Sequence, residues 1–212
     1  MLFVYDLTHW STFLMAALLL NLSPGPDIAF ILGHTVKGGA RSGYAAMLGI
    51  WTGAFGHVIL AVSGLSAIVA ASAEAFSVIK WVGVVYLVWI GVAAIRSSGG
   101  AFLPKTLPAQ KGLWKIYRQG ALIDLLNPKV AIFFLAFLPQ FVTSQAGPIW
   151  AQLLLHGILI ILIAAVIEPP LIMFGGRFTT KLRNNPRIAT WLDRTLGTLL
   201  IGLAARLVYI ER

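Results

Sequence analysis

Two short polar motifs interrupt apolar stretches of this chain, about one hundred residues apart. The first is Asn21-Leu22-Ser23-Pro24-Gly25-Pro26-Asp27, and the second is Asp124-Leu125-Leu126-Asn127-Pro128-Lys129. Proline removes a backbone N–H donor and leaves a carbonyl unpaired, and a charged side chain is expensive to bury in hydrocarbon. Inside a membrane, such features are tolerated where they line a cavity enclosed by protein. If these stretches cross a bilayer, the two motifs are the first place to expect a binding site.

The first motif predicts an unwound turn between two half-helices. Pro24 and Pro26 each remove a donor, and Gly25 permits backbone angles closed to other residues. Helix ends and carbonyls exposed at such a turn can bind the charged groups of a small zwitterion or a coupling cation. We therefore take Ser23, Pro24, Gly25, Pro26 and Asp27 as candidate substrate-binding or coupling residues. A plainer alternative is a helix kink at which Asp27 caps the helix that follows.

The second motif predicts a similar break that carries a positive charge. Asn127 offers two donors and an acceptor beside the freed backbone. Lys129 in the middle of a span would cost about 2.5–3.5 kcal/mol unless it is paired or reaches water. We expect an ion pair between Lys129 and Asp27, with Asp124, Asn127 and Pro128 completing the candidate site. The alternative is that Lys129 extends its long stem to the membrane interface.

Three further polar residues lie in apolar stretches. Glu168, followed by Pro169-Pro170, predicts an interruption of a later stretch, where a buried carboxylate can carry a proton. An interfacial residue that marks the end of that stretch is an equal alternative. His57 and His156 are better explained as hydrogen-bond partners of neighbouring helices than as proton relays.

Composition shows that the apolar character extends over the whole chain. Hydrophobic residues make up 58% and charged residues 11%, against about 45–50% and about 25% in soluble domains. No Asp, Glu, Lys or Arg occurs from Ser42 to Ala73 or from Val130 to Ile167. Because a helical span needs about 20 apolar residues, the sequence predicts an all-α, polytopic membrane protein.

We predict six transmembrane helices, at 9–33, 43–71, 76–97, 119–142, 148–175 and 188–210. The first stretch is interpreted as a retained span and not a signal peptide, because residues 1–10 contain no Lys or Arg. The odd-numbered connections carry twelve of the sixteen basic residues. The positive-inside rule therefore places them in the cytoplasm and both termini outside. A five-span arrangement, with the last segment at the interface and a cytoplasmic C-terminus, is the alternative.

The same charge placement argues against a nucleic-acid partner, because the net charge of +9 is concentrated in the predicted cytoplasmic connections.

The chain divides into two predicted halves. Residues 98–118, which contain glycines and prolines, form the predicted cytoplasmic linker between a three-helix half at 1–97 and another at 119–212. An offset of 104 residues aligns Pro24 with Pro128. Because three spans reverse the direction in which the next half crosses the membrane, we predict inverted repeats with broken helices 1 and 4. Transporters built in this way bind substrate where the broken helices meet.

Several classes of function are not supported by any motif. The sequence has no Walker-type loop, no His-Glu-x-x-His, no Gly-x-Ser-x-Gly and no cysteine. We therefore predict a protein that is not an enzyme and that has no cofactor and no metal site. Without a nucleotide-binding domain, transport would draw its energy from an ion or substrate gradient.

The ordered set of motifs resembles the lysine exporter (LysE/RhtB) family of amino-acid exporters. Ser23-Pro24-Gly25-Pro26-Asp27 is similar to that family's S/T-P-G-P-N/D signature. Other similar segments are Gly83–Leu87 with Gly91, Asn127-Pro128-Lys129 with Phe133-Phe134, Pro139-Gln140-Phe141, and Gly202–Leu207. The resemblance covers essentially the whole chain. It implies an exporter of amino acids or close derivatives in the bacterial cytoplasmic (inner) membrane, driven by the electrochemical gradient through proton antiport.

The resemblance implies a matched site as well, at Pro24, Gly25, Pro26, Asp27, Asn127, Pro128 and Lys129. Asp27 stands where many relatives have Asn, and Glu168-Pro169-Pro170 lies outside the family pattern. We expect substrate between the broken first and fourth spans, with Asp27 or Glu168 as the coupling carboxylate. Lys129 would be the counter-ion or would anchor the substrate carboxylate.

The expected partners are an amino-acid substrate, protons and the lipid bilayer; association into a homo-oligomer stays open. One alternative is a divalent-cation exporter in which Asp27, Asp124 and Glu168 surround the metal. Another is a structural membrane protein without transport activity.

Overall fold

The part of the chain that the structure describes is mostly helical. The computed structural model describes residues 3–23, 25–65, 73–97, 112–143 and 145–209, and these ranges contain no strand. Their α-helices are α1 Leu7–Leu22, α2 Pro26–Leu60, α3 Ala73–Arg96, α4 Leu113–Leu125, α5 Pro128–Ile132, α6 Ile149–Asn184 and α7 Pro186–Tyr209. A π-helical turn, Ala61–Leu65, continues α2; a π-helical turn, Phe133–Phe137, and a 3-10 turn, Leu138–Phe141, continue α5. The all-α prediction is confirmed.

Several of these helices are long and apolar enough to cross a membrane. In the described ranges, three segments qualify on their own: Pro26–Gly64, Ile149–Arg177 and Pro186–Ala205. Leu113–Leu125 and Pro128–Phe141 together make a fourth if this pair, bent by 45°, is a single span. The chain is thus a membrane protein, and its arrangement as six spans in two inverted halves stays a prediction.

One face of α3 illustrates how the outer surface suits lipid. Its large apolar side chains are half to two-thirds exposed and recur at helical spacing, at Val78, Trp81, Val82, Val85 and Trp89. A contiguous apolar face of this size is unusual on a protein surrounded by water. It is expected where hydrocarbon replaces the solvent.

The structure treats two predicted connections differently. The predicted connection 34–42 contains a break, because α2 joins two helical segments across a kink at Gly39, where φ is +74° and ψ is −178°. Helix α4 begins at Leu113, so 113–118 belongs to a helix and not to the linker. The error at α4 has a physical cause, because Lys115 and Arg118 lie on its exposed face while Ile116 is buried. An amphipathic helix end was mistaken for a loop.

The predicted interruption at Glu168-Pro169-Pro170 is wrong. Helix α6 runs without a break from Ile149 to Asn184, with both prolines inside it. Proline removes the donors that the carbonyls of Ala165 and Val166 would otherwise receive, yet membrane helices tolerate this loss.

Some predictions fall outside the described residues. These are Pro24, the end of the second predicted span at 66–71, residue 210 of the last predicted span, and the linker segment 98–111.

Helices α2 and α4 pack at backbone distance because glycine lines their contact. A Cβ added at Gly53 would lie 2.7 Å from the carbonyl oxygen of Ala121, and one at Gly49 would overlap the carbonyl oxygen of Tyr117. Gly120 of α4 meets the carbonyl of Ala46 in the same way, at 2.7 Å. Gly49 and Gly53 are four residues apart, a spacing of small residues that is typical of closely packed membrane helices.

A second glycine contact joins α3 to α7. A Cβ at Gly91 would lie 2.8 Å from the carbonyl oxygen of Gly197, and one at Gly197 would lie 2.5 Å from that of Gly91. The two glycine contacts hold α2 against α4 and α3 against α7.

The α2–α4 contact predicts a selective effect of one methyl group. Gly49→Ala should lower the free energy of unfolding by about 1–3 kcal/mol, because the new Cβ meets backbone that cannot move aside cheaply. The matched control is Gly202→Ala in α7, where a Cβ meets nothing within 4 Å; it should be neutral or stabilising by up to about 1 kcal/mol. Thermal unfolding of both variants in detergent checks this. Equal stability of the two variants would contradict the packing described.

Candidate functional site

Both proline motifs break the helix where the sequence predicts. Helix α1 ends at Leu22, and its last turn is closed by a hydrogen bond from Ser23 N to Leu19 O at 2.8 Å. The chain is extended at Ser23 and Gly25, and α2 begins at Pro26. In the second motif, α4 ends at Leu125, Asn127 is extended, and α5 begins at Pro128. Proline is suited to a first helical position, where its missing N–H has no partner to lose.

The helices that follow the two breaks begin in the same way. Gly25 and Asn127 precede the new helices, Pro26 and Pro128 begin them, and the charged residue follows in each case. At the first helical position Pro26 corresponds to Pro128, whereas the offset of 104 residues pairs Pro128 with Pro24. Asp27 and Lys129, 102 residues apart, therefore occupy equivalent positions with opposite charge.

Asp27 and Lys129 form a buried ion pair across the two breaks. Lys129 Nζ lies 2.9 Å from Asp27 Oδ2 and 3.3 Å from Oδ1, and each residue is only 7% exposed. The predicted pair is confirmed, and the alternative in which Lys129 reaches the membrane interface is wrong. The capping alternative for Asp27 fails too, because Gly25 occupies the cap position of α2 and no side chain bonds there.

Lys129 also holds the end of α1. Its Nζ donates to the backbone oxygens of Ser23 at 2.9 Å and of Leu20 at 3.3 Å. A cation stabilises the carbonyl end of a helix and an anion the N–H end, each by about 0.3–1 kcal/mol. Asp27 at the start of α2 and Lys129 at the end of α1 satisfy that rule. The unfavourable position of Lys129 at the start of α5 is offset by these contacts.

The ion pair explains why the first break contains Gly25. Its φ of −164° is extended backbone that any residue can adopt, so conformational freedom is not the reason, contrary to the sequence argument. A Cβ at Gly25 would lie 3.0 Å from Lys129 Nζ and would overlap Asp27 Oδ1. The glycine leaves room for the two charged groups to meet.

Two polar atoms near the breaks have no hydrogen-bond partner among the described residues. Asn127 Oδ1 accepts from the backbone N–H of Lys129 at 3.0 Å, whereas its Nδ2 is buried and unpaired. Asp124 Oδ2 is also buried and unpaired, although the residue is only 1% exposed. Unpaired buried polar atoms are costly, which makes both of them candidates for ligand contact.

Asp124 on α4 and Glu168 on α6 are two further carboxylates near the ion pair. The backbone carbonyl of Asp124 accepts from His57 Nε2 at 3.1 Å, which confirms the interhelical role expected of that histidine. Glu168 is buried on α6, and Trp51 Nε1 donates to its Oε2 at 2.7 Å. Trp51 is a site residue that the sequence motifs do not indicate. Its position inside the second predicted span, away from the span ends where Trp and Tyr are usually enriched, was the available signal.

The ion pair lies between two spaces of different size. A small cavity of about 30 Å³ has five polar residues in its lining, at Asn21, Asp27, Trp51, Asp124 and Glu168. We name it the acidic cavity. A groove of about 400 Å³ runs between the breaks and α3, and its polar lining includes Ser23, Tyr86, Ser97, Asn127 and Lys129. Asp27 therefore borders the acidic cavity, and Lys129 borders the groove.

Aromatic rings cluster at the N-terminal end of α1, away from the helix break. His9 Nε2 lies 2.9 Å from His156 Nε2, and His156 Nδ1 lies 2.8 Å from the carbonyl oxygen of Gln152. Since a carbonyl can only accept, Nδ1 of His156 donates, and His9 donates to its Nε2 when both rings are neutral. The other rings in contact with this pair are Tyr5, Trp10, Phe13 and Phe141. His156 thus has the interhelical role predicted for it.

The predicted site residues are thus brought together from both halves of the chain. Ser23, Gly25, Pro26, Asn127, Pro128 and Lys129 border the groove, and Asp27, Asp124 and Glu168 border the acidic cavity. Pro24 lies outside the described residues.

Comparison with known proteins identifies the family. The chain matches the family described as LysE type translocator over residues 18–211. It belongs to the LysE family. That match includes both helix breaks and the ion pair, so the resemblance found in the sequence motifs is confirmed.

The chain is similar along nearly its whole length to other bacterial proteins, two of which are named for efflux. The chain is 29% identical over 197 residues to an uncharacterized membrane protein of Vibrio cholerae, covering 93% of this chain and 95% of the relative. It is 29% identical to a homoserine/homoserine lactone efflux protein of Salmonella typhimurium, with the same coverage. It is 25% identical to a leucine efflux protein of Salmonella choleraesuis, over 98% of both chains. No solved structure matches.

The buried pair predicts strong coupling between two substitutions. Asp27→Asn or Lys129→Met alone should each lower the free energy of unfolding by about 3–5 kcal/mol, because the partner is left as an unpaired buried charge. The double variant Asp27→Asn/Lys129→Met should lose clearly less than the sum of the two. Unfolding in detergent measures all three. The control Lys115→Met removes an exposed charge of α4 and should change stability by less than about 0.5 kcal/mol. Simple additivity of the two site substitutions would contradict the pairing.

Proposed function

We propose that this protein is a secondary exporter of amino acids or close derivatives in the bacterial cytoplasmic membrane, coupled to proton influx. The observation that carries this proposal is membership of the LysE family over both halves of a chain whose two helix breaks meet at a buried ion pair. Paired charges and freed backbone inside a membrane protein are the usual components of a substrate site. The relatives named for efflux of homoserine, homoserine lactone and leucine support an amino-acid substrate.

We infer six spans in two inverted halves, 1–97 and 113–212, with both termini outside; the second half begins with α4 and not at residue 119. In this arrangement α1 and the start of α2 form the broken first span, and α4 with α5 forms the broken fourth. The equivalent positions of Gly25-Pro26-Asp27 and Asn127-Pro128-Lys129 support two related halves. The predicted cytoplasmic linker follows Ser97, which lines the groove. The groove is then the cytoplasmic approach to the site.

The charged groups of the site suit the two ends of an amino acid. In the groove, Lys129 and the unpaired Nδ2 of Asn127 supply donors for a carboxylate. Asp27 and the acidic cavity beyond it supply acceptors for an ammonium group. A zwitterion that pairs its ammonium group with Asp27 and its carboxylate with Lys129 replaces the Asp27–Lys129 contact, so it loses little electrostatic energy on leaving water. Rocking of the two halves would then expose the site to either side.

Counterflow in proteoliposomes tests the export function. Vesicles loaded with an unlabelled amino acid should accumulate the same labelled amino acid, with L-leucine and L-homoserine as the first probes and the other amino acids following. An imposed pH gradient should increase the accumulation, and a protonophore should abolish the increase. Lys129→Met should reduce the flux at least about tenfold, since a charge-assisted contact is lost, whereas Lys115→Met should not change it. No flux of any amino acid by the folded protein would overturn the proposal.

A further inference from the structure

The acidic cavity collects carboxylates in a space too small for a whole amino acid. Its volume of about 30 Å³ corresponds to two or three molecules the size of water, at about 10–15 Å³ each. Around its polar groups the lining is apolar, with Leu20, Ile50, Val130, Phe134 and Ile160 among its residues. A single ammonium group fits there, whereas a complete substrate does not.

The hydrogen bonds of the cavity leave acceptors in excess. Its two polar residues with N–H groups use them inside the protein: Trp51 donates to Glu168 at 2.7 Å, and Asn21 Nδ2 donates to the carbonyls of Ala17 at 2.8 Å and Ile160 at 3.3 Å. Asp124 Oδ2 is left buried with no partner among the described residues. The cavity therefore lacks a donor, and a group with several N–H or O–H bonds would supply it.

The charges of the cavity are unbalanced as well. Lys129 is paired with Asp27. In the part of the chain that the structure describes, no basic side chain forms an ion pair with Asp124 or Glu168. The hydrogen bond of His57 goes to the backbone carbonyl of Asp124 and not to its carboxylate. Because Asp124 and Glu168 are 1% and 4% exposed, their negative charge has to be neutralised by a proton or by a small cation.

We propose that the acidic cavity is a shared site in which the ammonium group of the substrate and the coupling proton replace each other, with Asp124 and Glu168 as the groups that bind them. This inference rests on the export function proposed above. It assigns the amine of the substrate to these two carboxylates and leaves the substrate carboxylate and side chain on the groove side of the Asp27–Lys129 pair. The cavity recognises a primary ammonium group and does not select the side chain.

The exchange is balanced in atoms and charge. When the ammonium group arrives from the cytoplasm, a carboxyl O–H of the cavity releases its proton to that side, and the carboxylate formed pairs with the ammonium. When the ammonium group leaves to the outside, the carboxylate takes up a proton from there. No other bond forms or breaks. One proton enters for each zwitterion exported, so one positive charge moves inward per cycle, and both the pH gradient and the membrane potential drive export.

Binding measurements on the purified full-length protein test the shared site. With L-leucine and L-homoserine as probes, the wild type should release about one proton per bound amino acid into a weakly buffered solution that contains a pH indicator. Its apparent Kd should rise by up to about tenfold for each unit of falling pH, the limit for one competing proton. Glu168→Gln and Asp124→Asn should weaken this pH dependence, release less proton, and abolish the response of counterflow to the pH gradient. Asp124→Asn should also raise Kd at least about tenfold, since its unpaired oxygen is the free acceptor.

A buried carboxylate elsewhere provides the matched control. Asp193 on α7 is fully buried and accepts from Ser97 Oγ at 2.5 Å, and it does not line the acidic cavity. Asp193→Asn should leave the proton release and the pH dependence of Kd unchanged.

Infrared difference spectroscopy of the wild type avoids the risk that a variant fails to fold. The carbonyl band of a protonated carboxyl group should disappear when L-leucine or L-homoserine is added. If no such band changes, the inference is overturned. It is likewise overturned if Glu168→Gln and Asp124→Asn keep the proton release and pH dependence seen in Asp193→Asn. Counterflow would still be observed in those cases, whereas failure of the export function itself appears as the absence of counterflow in the wild type.

Discussion

The ammonium group of Lys129 is the interaction on which the rest of this structure depends. It holds three helix ends together, because it belongs to the start of α5 and binds both the carboxylate of Asp27 at the start of α2 and the carbonyls at the end of α1. A lysine alone at this depth would be strongly unfavourable, and so would an aspartate alone. Each break in the helices is therefore stable only in the presence of the other. That mutual requirement fixes where the two helix breaks meet.

The surrounding structure keeps this contact in place and separates two environments. Glycine contacts hold α2 against α4 and α3 against α7, so the helices beside the two breaks pack closely. On one side of the pair, Lys129 and Asn127 present donors to a groove; on the other, Asp124 and Glu168 add two carboxylates to Asp27. An arrangement with donors on one side and acceptors on the other matches the two ends of a zwitterion. The ion pair thus stabilises the contact between the two breaks, and under the proposed function it is the contact that substrate would open.

Much of this site could be predicted from residue types alone. Proline beside charge in an apolar stretch is so costly that it located both breaks and the Asp27–Lys129 pair. The sequence could not show which proline begins the helix after the first break, because Pro24 and Pro26 are the same residue type and align equally well with Pro128. Helix continuity at Pro169-Pro170 and at Leu113 was also missed, since packing decides whether proline or a basic segment stays helical. The hydrogen bond from Trp51 to Glu168 depends on how α2 and α6 cross, which no local pattern encodes.

The central claim is that the Asp27–Lys129 contact separates the groove from the acidic cavity and opens during transport. Because the chain has no cysteine, spin labels can be placed cleanly at Leu22→Cys and Leu126→Cys, two exposed positions beside the breaks. The distance between the two labels should be measured in liposomes by pulsed electron paramagnetic resonance spectroscopy. The measurement is made with and without a saturating concentration of an amino acid that the protein transports in the counterflow assay. We predict that substrate produces a second distance population, which is lost in the Lys129→Met background. A single distance that does not change, in labelled protein that still transports, would contradict the account.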